Sequence, residues 1–292
     1  EKDISKILDK HQDSSWQIGQ SLSLNEEQDR VVRDVVEKSQ SEELKHLIWG
    51  VTGSGKTEVY LQLIERICSL VNNSEINGEN TSENSKGALV LVPEIALTPQ
   101  LRERFEQRFP GQIALFHSSQ KPSELRREWL ATALGKKRIA IGARSALFAP
   151  VQNLSLMIID EEHDASYKQE ERLRYHARDL AVIMSDLHQC PLVLGSATPS
   201  AEAISLCRRK QFHLHTIKNR AVGDAKLPSI EIVDLKEQRG QQTYLPAPGD
   251  LEEGKTAESE FLNSIENEFE FISPQLHLAL QECFDRKEQA IL

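Results

Sequence analysis

The chain runs to 292 residues, with 39% hydrophobic and 27% charged side chains and a formal net charge of −10. It is long enough for one large core or two ordinary ones, and no apolar run approaches the ~18 residues of a membrane span, so no membrane role is expected. Cys68, Cys190, Cys207 and Cys283 are scattered without a C-x-x-C pair, which argues against a disulfide framework or thiolate metal cluster and points to a reducing cytoplasm.

The acid excess is concentrated. Residues 239–270 hold eight acids against two bases, and residues 71–86 hold three against one. These segments account for −6 and −2 and leave the rest of the chain near −2, so the global charge does not exclude a nucleic-acid partner.

Residues 1–21 begin Glu1-Lys2-Asp3, carry one short amphipathic turn (Ile4, Ile7, Leu8) and read as a linker in a piece of something longer. Leu24-Asn25-Glu26-Glu27-Gln28 is the start of a helix. An apolar run over 46–50 then leads into Gly50-Val51-Thr52-Gly53-Ser54-Gly55-Lys56-Thr57, which fits the P-loop pattern G-x-x-x-x-G-K-[ST] between a strand and a helix. The three glycines let the backbone curl so that successive N–H groups converge on phosphate oxygens, and the helix over 58–69 adds the positive end of its dipole. The pattern predicts a nucleoside triphosphate, with Lys56 reaching the β- and γ-phosphates and the Thr57 hydroxyl holding Mg²⁺.

Residues 72–86, rich in Asn, Ser and Glu, read as a surface loop. Short apolar runs then recur at 88–92, 113–117, 138–142, 156–160 and 191–195, with helical periodicity over 99–108, 123–134, 177–187 and 201–209. Continuous apolar strands alternating with amphipathic helices predict an α/β fold, a mostly parallel sheet covered by helices on both faces.

The strand over 156–159 delivers Asp160-Glu161-Glu162-His163 at its end, the edge where open α/β sheets bind ligands. Asp160 is read as the Mg²⁺ ligand and Glu161 as the residue that orients the attacking water. Residues 166–176 interleave Tyr167, Tyr175 and His176 with Lys168, Arg172 and Arg174, a pattern that can stack on nucleobases while pairing with phosphates. Tyr167 and Arg174 are expected to be largely exposed. The strand at 192–195 ends in Ser196-Ala197-Thr198, which alone reads equally well as a helix cap. His117, His188, His213 and His215 show no ligand spacing. Residues 238–270, with Pro246, Pro248, Gly249 and Gly254 among the acids, form an acidic, flexible insertion. Ser273 then caps a helix over 274–287 with Pro274 at its first position, and residues 288–292 begin a strand.

Gly50–Thr57, Asp160–His163 and Ser196–Thr198, in that order, resemble motifs I, II and III of superfamily 2 helicases. The longer runs 50–65, 89–100, 141–150, 158–182 and 194–200 are similar to the primosomal protein N′ family of bacterial replication-restart helicases, over residues 22–292. The segments 72–86 and 238–270 depart from that family's pattern. The resemblance implies a RecA-like first motor lobe over 22–237, with 271–292 opening a second lobe and a DNA-binding region preceding residue 1. It implies an ATP- and Mg²⁺-dependent DNA helicase, cytoplasmic and nucleoid-associated, that acts in restart of stalled forks and primosome assembly. Gln28 would read the adenine edge. Thr98, Arg144 and Ser145 would touch the sugar–phosphate backbone of one DNA strand, and His163, Ser196, Thr198, Tyr167, Arg174 and Tyr175 would couple DNA to hydrolysis. The implied partners are forked and single-stranded DNA, restart and primosome proteins, and single-stranded DNA-binding protein. The family's zinc belongs to a cysteine-rich insertion, for which this chain carries no ligands. Two other classes share the P-loop: a nucleotide-gated fork-binding adaptor that recruits replication proteins without unwinding, and a small-molecule kinase, which the Asp-Glu-Glu-His and Ser-Ala-Thr motifs disfavour.

Overall fold

The computed structural model of the chain describes residues 21–41, 43–68, 86–96, 98–171, 173–221, 230–234 and 273–290. The linker expected over 1–21 and the loop expected over 72–86 lie outside the described residues but for Ser21 and Lys86, and the acidic insertion expected at 238–270 lies wholly outside them. The chain divides into two compact units, residues 1–225 and 226–292.

In the first unit the helices are α1 (Glu26–Lys38), α2 (Lys56–Cys68), α3 (Pro99–Arg108), α4 (Pro122–Ala133), α5 (Ala177–His188) and α6 (Ala201–Arg208). Between them run β1 (Lys45–Gly50), β2 (Gly87–Leu91), β3 (Ile113–Phe116), β4 (Ile139–Gly142), β5 (Leu154–Ile159), β6 (Lys168–Gln169), β7 (Tyr175–His176), β8 (Leu192–Ser196) and β9 (His213–Ile217). One sheet takes the order β3-β4-β2-β5-β8-β1-β9 with every neighbouring pair parallel. The short β6 and β7 pair antiparallel as a separate hairpin.

The uninterrupted apolar runs have a plain cause, because side chains alternate across a strand and both faces of this sheet are covered. In β2, Ala88 and Val90 join a core with Val31, Val32 and Val35 of α1, Val59 to Cys68 of α2 and Phe105 of α3. Leu89 and Leu91 of the same strand face the opposite core, with Ala177 and Ala181 of α5 and Ala203 of α6. β5 divides likewise, Leu156 and Ile158 to one side, Met157 and Ile159 to the other. Each fully buried side chain of this size contributes about 1.5–3 kcal/mol. All parallel strands point the same way, so every strand-to-helix loop that follows them emerges at one edge.

β9 is a strand that the search for apolar runs passes over, since His213-Leu214-His215-Thr216-Ile217 alternates. It pairs with β1 at the edge of the sheet, where one face meets water and the other the core. His215 there meets His46 of β1, Nε2 to Nδ1 at 3.1 Å, and His213 lies 5.7 Å from His46 between ring centroids. His46 is wholly buried, and its Nε2 has no hydrogen-bond partner among the described residues. In the second unit, α7 (Pro274–Asp285) is capped by Ser273, whose hydroxyl accepts from the Leu276 N–H at 3.1 Å. Residues 288–290 take no regular structure where a strand was expected.

The histidine cluster makes stability sensitive to acid. Burial, with the neighbouring His215, pushes His46 down to about 3, and burial pushes His215 down to about 4 against the pull of Asp34. Both lie below the ordinary 6.5, so the unfolded chain takes up protons first as pH falls. Stability is complete above pH ~6.5 and is lost on the way down toward those lowered values. Urea unfolding at pH 5 is expected to show a loss on the order of 4 kcal/mol relative to pH 7 from this cluster, about 2 from each histidine. His46→Gln should remove about half of that loss, since burial still lowers His215, and an equal pH dependence in the variant would contradict it.

Candidate functional site

The sheet order sets β5, β8 and β1 side by side, so the segments that follow them, 160–163, 196–198 and 50–57, meet at one edge. The indole of Trp49, the last residue before the P-loop, donates to the Ala197 carbonyl at 3.1 Å and ties two of those ends together.

Within the P-loop, Val51, Thr52 and Gly53 are exposed, Ser54 is buried and Gly55 is half-buried. Gly55 needs its glycine twice over. Its φ is +77°, and a Cβ there would fall 2.5 Å from the Gln28 amide nitrogen. The buried Ser54 hydroxyl has no hydrogen-bond partner among the described residues. Lys56 is 8% exposed, and its ammonium donates to the Gly50 carbonyl at 3.0 Å with Glu161 Oε1 at 3.6 Å. Thr57 is half-buried in the first turn of α2.

Gln28, expected at the adenine edge, makes two contacts within the chain. It occupies the third position of a capping box, its oxygen accepting from the Asn25 N–H at 2.9 Å. Its amide donates to the Ser54 carbonyl at 2.7 Å, so it clamps α1 onto the P-loop. Glu27 beside it accepts from the Lys218 and Asn219 N–H groups at 2.8 and 3.0 Å, and Ala221 N–H donates to the Gly53 carbonyl at 2.9 Å. The chain after β9 is thereby strapped against the loop.

Asp160 leaves β5 with its N–H donating to the Leu91 carbonyl at 2.9 Å and its Oδ1 accepting from the Tyr60 hydroxyl at 2.8 Å. Burial raises its pKa, the Tyr60 bond opposes that rise, and the adjacent Glu161 adds to it. Glu161 sits at φ +44°, a conformation that costs a non-glycine residue energy, and its carboxylate faces Lys56. His163 lies between two motifs. Its Nδ1 is 3.7 Å from Glu161 Oε2 and 2.8 Å from the Ser196 hydroxyl, and its Nε2 is 3.4 Å from the Thr198 hydroxyl.

Two functional features were not singled out from sequence. Glu162 is 1% exposed and accepts from Ser200 N–H at 2.7 Å, Ser200 Oγ at 2.9 Å and Arg178 at 3.4 Å. It locks the third acid of the motif to α5 and to the cap of α6. Tyr60 is the other, and the only signal for it is its place one helical turn after Lys56.

One expectation is corrected. Tyr167 is not exposed but wholly buried, its ring in the core and its hydroxyl donating to the Asp160 carbonyl at 2.6 Å. The ring is apolar and the short helix 165–167 turns it inward, where a strand-end carbonyl needs a donor. Arg144, expected on a DNA backbone, donates to the carbonyls of Ser166 and Lys168 on either side of Tyr167. A guanidinium has five donors, so this latch does not exhaust it. Thr98 caps α3, accepting from Leu101 N–H at 3.2 Å, and Ser145 is exposed. In the β6–β7 hairpin Arg174 is exposed, while half-buried Tyr175 meets the exposed Phe148 edge-on at 5.6 Å. An open cavity of about 720 Å³ there is lined by Lys168, Arg174, Tyr175 and His176. Arg172 lies outside the described residues.

No group of three or more His, Cys, Asp and Glu among the described residues could hold a metal alone. One hydroxyl and one carboxylate, Thr57 and Asp160, fit Mg²⁺, which is held through few protein ligands together with substrate phosphates and water. The partnerless Ser54 hydroxyl inside a phosphate-type loop points the same way.

The description of the DEAD/DEAH box helicase family matches residues 25–206. The replication restart protein PriA of Bacillus subtilis (strain 168) is 42% identical over 231 residues, 79% of this chain and 27% of that protein. PriA of Synechocystis sp. is 45% identical over 200 residues, 67% of this chain and 22% of that protein. PriA of Haemophilus influenzae is 41% identical over 195 residues, 67% and 25% of the two chains. The chain thus spans about a quarter of the length of these relatives.

Glu162→Ala removes the buried carboxylate that Arg178 and Ser200 share, and Tyr167→Ala removes a core ring. Each is expected to cost about 3 kcal/mol or more in urea unfolding. Tyr167→Phe, which loses only the hydroxyl bond, should cost about 1 kcal/mol. A Tyr167→Ala variant as stable as the parent would contradict the buried ring.

Proposed function

Because this chain belongs to the DEAD/DEAH box helicase family, we propose that it is the nucleotide-binding first motor lobe, residues 22–237, of an ATP-driven DNA helicase of the replication-restart kind. The observation that carries the reading is the Lys56 ammonium facing Glu161 across 3.6 Å at the end of a phosphate-type loop, with Asp160 one residue away.

In this reading the N–H groups of residues 51–57 and the Lys56 ammonium hold the β- and γ-phosphates of ATP. Thr57 and Asp160 hold Mg²⁺, which when bound neutralises charge on the phosphates. Glu161, whose carboxylate faces Lys56, orients the attacking water. His163 passes the state of Glu161 to Ser196 and Thr198, the end of β8. Gln28 contacts the nucleotide's base from the clamp it makes on the loop.

DNA lies across the same sheet edge. Thr98, Arg144 and Ser145 follow the ends of β2 and β4, and contacts of this kind to sugar and phosphate position a strand without reading its sequence. Arg174 and Tyr175 stack on and pair with single-stranded DNA at the hairpin. Tyr167 couples from inside, because its flanking carbonyls are held by Arg144 and its hydroxyl by Asp160. Forked and single-stranded DNA are the substrates we infer, with restart, primosome and single-stranded DNA-binding proteins as partners in the cytoplasm. That the similar PriA chains are replication restart proteins supports that class.

Lys56→Ala is expected to weaken ADP binding in Mg²⁺ by tenfold or more, since a hydrogen bond to a charged group contributes about 1.5–3 kcal/mol. Equal affinity for parent and variant by titration calorimetry would refute the assignment of the loop. In the full-length protein, Glu161→Gln should retain ATP and Mg²⁺ while hydrolysis falls by about 10²–10⁴. A steady-state rate within threefold of the parent would remove Glu161 from the catalytic role.

A further inference from the structure

We infer that Tyr60 is the positioning residue for Asp160, and that Gly195 of β8 is the opening through which its hydroxyl reaches that carboxylate. The inference rests on the nucleotide and Mg²⁺ reading above and goes beyond it, to what fixes the metal ligand before any ligand arrives. Tyr60 stands one helical turn after Lys56 on α2, the same face of the same helix. Its ring is 2% exposed, and its hydroxyl donates to Asp160 Oδ1 at 2.8 Å.

Gly195 explains how a tyrosine fits there. A Cβ at position 195 would fall 1.7 Å from the Tyr60 hydroxyl oxygen, 2.8 Å from Cζ and 3.4 Å from Asp160 Oδ1. The requirement is close approach and not a special backbone angle. Any side chain at 195 pushes the hydroxyl off the carboxylate. Three ends therefore meet at one oxygen: the P-loop helix through Tyr60, β5 through Asp160, and β8 through the space that Gly195 leaves.

The consequence is mechanical. A carboxylate at a strand end rotates about two bonds, and holding Oδ1 fixes both, which leaves Oδ2 in one direction. Tyr167 restrains the same residue from behind through the Asp160 carbonyl, 2.6 Å away. Partners that orient a metal ligand in this way are typically worth 10–100-fold in metal affinity. A merely structural Tyr60 would instead fill the core and satisfy a buried hydroxyl, with no influence on the metal.

The test separates the two roles with this chain, using ADP in Mg²⁺ and ADP in EDTA, and Mn²⁺ as a spectroscopic stand-in for the ion. In the parent, Mg²⁺ should raise ADP affinity; no enhancement would remove the metal reading itself and the inference with it. Tyr60→Phe keeps the ring and loses one oxygen. Its affinity for ADP in EDTA should stay within about twofold, while the Mg²⁺ enhancement and the Mn²⁺ affinity of the ADP complex should fall about tenfold or more. Gly195→Ala should reproduce that metal-specific loss from the other side of the bond. If Tyr60→Phe retains the full enhancement, whatever its melting temperature, Tyr60 is a packing residue and the inference is overturned.

Discussion

Lys56 carries a full charge into a place where 8% of it meets solvent, and much of the site is arranged to answer that charge. A buried ammonium needs a carbonyl, a carboxylate or an anionic ligand, since a charge taken out of water and left unpaired is costly. The chain provides the Gly50 carbonyl at 3.0 Å and the Glu161 carboxylate at 3.6 Å. The second partner comes from a different strand, so the charge can be met only if β1 and β5 end at the same edge. Glu161 meets it from a backbone at φ +44°, strain on the order of 1–3 kcal/mol that the surrounding turn sustains.

The parallel sheet supplies that alignment, and three layers of contacts hold it. β8 lies between β1 and β5, and His163 joins its Ser196 end to Glu161. Glu162 anchors the same turn from beneath through Ser200 and Arg178. Tyr60 and Tyr167 hold the side chain and the carbonyl of Asp160 from opposite faces of the sheet. Arg144 then links the Tyr167 turn to the end of β4. A displacement at any of these ends reaches the carboxylate through contiguous contacts, which is the physical requirement for coupling a nucleotide site to a surface several strands away.

Much of this was legible because its signals are local. The P-loop glycines, the continuous apolar runs and the Ser273-Pro274 helix start depend on neighbours in sequence, and the strands and helices follow them closely. β9 was missed because an edge strand with one wet face alternates, and its histidines look unremarkable until β1 lies beside them. Tyr167 was misread for a related reason. Interleaved aromatic and basic residues suggest a solvated surface, but the turn at 165–167 sends one aromatic inward while Arg174 stays out. Gln28 and Arg144 also donate to backbone carbonyls 26 and 22 residues away. Such partners are chosen by the fold, and no spacing rule announces them.

The central claim, that phosphates are held where the ends of β1, β5 and β8 converge, is tested most directly by mapping backbone amide shifts as ADP is added in Mg²⁺. The account predicts the largest changes in residues 50–57, with smaller ones at 160–163 and 196–198. Changes centred instead on the cavity that Thr98, Arg102 and His117 line beside β3, with residues 50–57 unmoved, would contradict it.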